Sequence, residues 1–129
     1  MEYDASQAPD PERWLETDEQ ARIALVEDYH DALDDHPSAG SMRAHCMMHA
    51  VVETQIASGE PAQTRQKIEE LLEAGVDRHA AIHALALPVA HVVYGVAEGE
   101  ESGAPNELMG QKISEVTVED AREQEEAWE

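Results

Sequence analysis

Phenylalanine is absent from this chain, and only two of its 129 residues are lysine, Lys67 and Lys112. Basic residues number 8 against 29 acidic ones, which leaves a formal net charge of −21. A surface of that sign repels phosphate backbones and anionic headgroups, so neither nucleic acid nor a membrane is expected as a partner. Cys46 is the single cysteine, which excludes an intramolecular disulfide and suits a reducing cytoplasm. No apolar run reaches the roughly 20 residues of a membrane span. The longest candidate, residues 85–96, is interrupted by Pro88 and His91. Met1-Glu2-Tyr3-Asp4 is acidic rather than basic and apolar like a signal peptide, and a cytoplasmic location is expected. Internal repeats of solenoid length and Gly-rich phosphate loops are missing, and Ser41 and Ser58 lack the context of a catalytic nucleophile.

What is there is a chain long enough for one domain with a real core. The acid is spread along the sequence, and periodic apolar segments run through residues 21–96. That pattern fits a folded protein adapted to high salt, where short screening lengths relieve the self-repulsion, better than a disordered acidic chain. A halophilic prokaryote is the expected source.

The predicted fold is all-α: an up-and-down helical bundle of about four core helices with an acidic C-terminal tail. Residues 1–15, with Pro9 and Pro11, read as an extended lead-in, 16–97 as the bundle domain and 98–129 as the tail, partly helical. A first helix over 18–33, opened by a Thr17/Gln20 capping box, turns Ile23, Val26, Glu27, His30 and Leu33 inward. A loop follows through Pro37 and Gly40. A second helix over 41–57 has Met42, His45, His49, Val52, Glu53 and Ile56 on its inner stripe. Pro61 starts a third, with Ile68, Leu71 and Leu72 inward, and Gly75 ends it. Asp77 caps a fourth, which runs to about Val96 through a kink at Pro88 and faces the second. Its far side (Ile82, Leu85, Val89, Val92 and Val93) is apolar enough to predict a homodimer. Beyond an acidic linker, residues 112–116 read as a short strand or docking segment, and Thr117 caps a last helix over 118–128. This tail is expected to be mobile or to pack only through Leu108, Met109, Ile113 and Trp128, and to be the place where a protein partner would bind.

The chemistry gathers on two helices. His45, His49 and Glu53 fall four apart, and His79 and His83 repeat the step, so each set lines one side of its helix. Imidazoles one turn apart reach a common ion, and a zinc or iron site is expected. Its ligands are His45, His49, His79 and His83, with Glu53 and His30 as further ligands or supporting partners and Glu27 orienting a ligand ring. The zinc-peptidase pattern fails, because Cys46 follows His45 and Ala80 follows His79 where a general-base Glu is needed. The carboxylate-bridged di-iron pattern is incomplete, with Glu27-x-x-His30 its single inward pair. Hydrolytic or redox activity, if present, would use metal-bound water with Glu27 or Glu53 as base. The alternative is a non-catalytic interaction or assembly module whose buried histidines are structural. A pH-responsive protein is a third reading. Cys46, Met42, Met47 and Met48 read as packing, Tyr29 and Tyr94 as core flanks, His36 as a loop residue, and His91, past Pro88, as an outlying candidate.

His45, His49, Val52-Glu53-x-Gln55, a Pro-led helix and then Asp77-Arg78-His79-Ala80-Ala81-Ile82-His83-Ala84 resemble an uncharacterised prokaryotic family, the domain of unknown function 1841, with its haloarchaeal relatives. The resemblance covers about residues 20–97. It implies a small α-helical protein and brings no activity with it.

Overall fold

A computed structural model of the chain describes residues 2–33, 42–97 and 105–127. Those residues form helices α1 (Pro11–Glu16), α2 (Glu19–Leu33), α3 (Met42–Ser58), α4 (Ala62–Glu73), α5 (Arg78–Ala97), α6 (Pro105–Ser114) and α7 (Val118–Ala127), with no strand among them. The all-α class is as expected. Expectations placed on residues 34–41 (His36 included), on 98–104 and on Trp128 lie outside the described residues, as do those on the side chains of Leu33, Met42 and Tyr94.

Local chemistry sets the helix ends. Pro11, read as a mark of extension, instead opens α1, where its missing N–H costs nothing, and Asp10 caps it through the Arg13 amide at 3.1 Å. Thr17 closes α1, its hydroxyl donating to the Arg13 carbonyl at 2.8 Å. The cap of α2 is therefore Asp18, which accepts from the Ala21 amide at 2.9 Å. At the end of α4, Gly75 takes φ +87°. The Gly75 amide donates to the Leu72 carbonyl at 3.0 Å and the Val76 amide to that of Leu71 at 3.1 Å, the paired bonds of a Schellman motif. Asp77 then caps α5 through the Ala80 amide at 3.3 Å. Thr117 and Asp120 cap α7 reciprocally, at 3.0 and 3.1 Å.

The apolar residues sort into two clusters. The smaller joins Tyr3, Ala5 and Trp14 of the lead-in to Ile23 and Val26 of α2 and Cys46, Ala50 and Ala57 of α3. The larger joins Val52 of α3, Ile68 and Leu71 of α4, the apolar face of α5, and Met109, Ile113, Val116 and Ala121. Cys46 is buried, as a packing residue should be.

Three expectations change here. Residues 112–116 hold the end of α6 and a turn rather than a strand, because Leu108, Met109 and Ile113 repeat at helical spacing and all face the core. The tail does pack through Leu108, Met109 and Ile113, but not through them alone: Val116, Val118 and Ala121 join the same core, and α6 and α7 both pack on α5. The stripe on α5 expected to seat a second copy is consequently covered within the chain, with Ile82, Leu85, Val89 and Val92 all at 0% exposure. The expected pairing of the two His-bearing helices holds, since α3 packs against α5, and α2 lies against α3.

Candidate metal centre

Three helices deliver the imidazoles. α2 brings His30, one turn after the buried Val26; α3 brings His45 and His49; α5 brings His79 and His83. Each sits on a face otherwise made of Ala, Val, Ile and Cys, so burying that face carries the rings inward with it. His30, His49 and His83 are 2%, 0% and 3% exposed, and His45 and His79 are half-buried.

The described side chains of His30, His45, His49 and His83 each offer a ligand atom, and these four atoms lie within 4.8 Å of one another. His45 Nε2 is 3.2 Å from His83 Nε2. With metal–nitrogen bonds of about 2.0–2.1 Å, the edge of a tetrahedral site is roughly 3.3 Å, so that pair already stands at the spacing of two ligands. His30 Nδ1 lies 2.8 Å from the Val26 carbonyl, which can only accept. The proton is thus on Nδ1 and the lone pair on Nε2, the arrangement by which a main-chain carbonyl orients a ligand imidazole.

Burial favours the neutral form of His45, His49 and His79, the form in which imidazole binds a metal. Burial, then the neighbouring His30, pushes His45 down to about 4. His79 is likewise about 4, from burial and His30, with Asp77 and Asp4 pulling the other way. His49 is pushed well below the usual imidazole range by burial and by the four rings around it.

The structure brings His30 fully into the group, where the sequence had it as an additional residue. His79 packs against His83, with centroids 4.4 Å apart, but lies outside the set of four. Glu53 and Glu27 are corrections. Glu53 is fully buried, yet its two oxygens accept from Arg78 Nη1 and Nη2, each at 2.8 Å, and Oε2 also accepts from the Tyr3 hydroxyl at 2.5 Å. Arg78 Nη1 additionally donates to the Ala5 carbonyl at 3.0 Å. Burial works against the Arg78 charge, but the hydrogen bonds and charge of Glu53 outweigh it and raise its pKa. Glu27 is drawn outward to Arg43 at 2.8 Å, both side chains meeting solvent. Neither carboxylate is placed as ligand or general base. His91 is exposed on α5. Tyr29 is a flank as expected, edge-on to His30 and His79 with both centroids 5.6 Å away. The residues that the sequence reading overlooked are Tyr3 and Arg78. An arginine on an otherwise apolar helix face needs a buried carboxylate, and the carboxylate on the apolar stripe of α3 was Glu53.

No family model matches the chain, and neither a curated protein nor a solved structure does.

Proposed function

We propose that this chain binds one divalent transition-metal ion through His30, His45, His49 and His83. The observation that carries the reading is the meeting of those four ring nitrogens, from three helices, within 4.8 Å of one another. Zinc is favoured over iron: the described donor set is all imidazole, whereas the facial-triad iron(II) site includes a carboxylate. Bound there, the ion ties α2, α3 and α5 together in one place. Among the described residues, Glu53 is held by Arg78 and Glu27 by Arg43, which argues against either as the base for a metal-bound water. We place the protein in the cytoplasm of a salt-adapted prokaryote and count membership of the domain of unknown function 1841 family within the same proposal, on the strength of the sequence 78–85. The test is elemental analysis of tag-free protein purified without chelator. About one equivalent of zinc is expected, and less than about a tenth of an equivalent of any transition metal overturns the reading.

A second reading keeps the histidines purely structural, in a protein that serves as an interaction or assembly module. The observation favouring it is the close approach of His45 Nε2 and His83 Nε2, which a shared proton would also explain. The same elemental analysis separates the two.

A further inference from the structure

The rings of His30, His45, His83 and His79 form a closed cycle, with successive centroids 5.2, 4.9, 4.4 and 5.4 Å apart. The ring of His49 sits against all four, at 4.6, 4.9, 4.6 and 5.2 Å in the same order. Five imidazoles therefore surround one place. The half-buried members, His45 and His79, alternate with the buried His30 and His83 around the cycle, so the cage reaches solvent at its two rim positions. Of these two, His45 belongs to the described set whose ligand atoms converge within 4.8 Å and His79 does not.

Charge adds a requirement. An imidazole ligand brings no negative charge to an ion. The buried carboxylate one turn along α3 from His49 is Glu53, which Arg78 already neutralises. The carboxylates acting on His79 are Asp77 and Asp4, both exposed to water and hence screened. A divalent ion in the cage would keep most of its charge inside the core, a costly state that a ligand of opposite sign relieves.

We propose that His79 is an exchangeable fifth ligand and that the coordination position it guards takes a small monodentate anion, a role that presupposes the metal binding proposed above. Hydroxide and halide belong to this ligand class. His79 swings between the ion and the rim, and the anion enters as it leaves.

The test uses the full chain loaded with cobalt(II), whose visible bands report coordination, titrated with sodium azide. A saturable change in the bands is expected. His79→Ala should lose on the order of tenfold in cobalt affinity and bind azide on the order of tenfold more tightly, whereas His49→Ala should lose more than about a hundredfold in cobalt affinity, beyond what an outer-sphere partner costs. Far-UV circular dichroism checks the fold, and His79→Gln replaces the alanine variant if helicity falls. Cobalt-loaded protein whose bands ignore azide overturns the exchange while leaving the metal site standing. So does a His79 variant that loses cobalt as severely as His49→Ala. Failure of the folded wild type to take up cobalt or zinc at all overturns the metal site and this role with it.

Discussion

The guanidinium of Arg78 holds both carboxylate oxygens of Glu53 at 2.8 Å, where Glu53 has no exposure to solvent. Arg78 precedes His79, and Glu53 follows His49 by one turn. The pair therefore clamps α3 to α5 beside the cluster. Glu53→Gln leaves a buried guanidinium without its counter-charge and should cost about 3–5 kcal/mol, read from urea unfolding midpoints. Metal content per folded molecule should not change, because both Glu53 oxygens are engaged by Arg78 and the proposed ligands are histidines. A variant that keeps its stability and loses its metal would reverse that assignment.

Ile113 tests whether the acidic C-terminal region belongs to the core. It is fully buried in the cluster that contains α5. Ile113→Ala should destabilise the whole protein by about 2–5 kcal/mol in a single unfolding transition. A change below about 0.5 kcal/mol, the range of ordinary surface substitutions, would return this region to the status of an appendage.

Gly75 sits at φ +87°, and a Cβ built there would meet Arg122 Nη2 at 3.6 Å, an ordinary contact. Gly75→Ala therefore isolates the backbone cost of the left-handed residue that closes α4. About 1 kcal/mol of destabilisation is expected in the same urea assay. Stabilisation would mean that the Schellman turn does not form.

The histidines predict a pH dependence whose sign is fixed. His45 and His79 are held down to about 4, and His49 is also lowered. In the unfolded chain these groups titrate near about 6.5. As pH falls, the unfolded chain takes up protons first. The stability contribution is complete above about pH 6.5 and is lost progressively down to about pH 4. Metal-stripped protein should show a falling urea midpoint through that window, and metal-loaded protein should hold its midpoint to lower pH, because the ion competes with protons for the same nitrogens. A flat profile for the stripped protein would contradict burial of neutral rings.

The sequence revealed α2 to α5 and α7, the helix ends at Gly75, Asp77 and Thr117, and the two His-x3-His faces, because each is a local pattern of spacing and end chemistry. It misplaced Glu53 because position on the inner stripe tells which way a side chain points, not which of two buried partners claims it. Arg78 lay beside His79 in plain view, and pairing the two buried charges would have removed Glu53 from the ligand set. The extent of the C-terminal packing was obscured by composition: glutamates dominate residues 98–129, and although Met109 and Ile113 were legible as contacts, Val116 and Ala121 pack with them. His30 was undervalued for a related reason, since it stands alone on its helix and only tertiary packing brings it to the pairs.

The most direct measurement is anomalous diffraction from crystals of the zinc-loaded protein, recorded on both sides of the zinc edge. A single peak about 2.0–2.1 Å from ring nitrogens of His30, His45, His49 and His83 is the predicted result. Density confined to surface carboxylates, with none among the four rings, would contradict it.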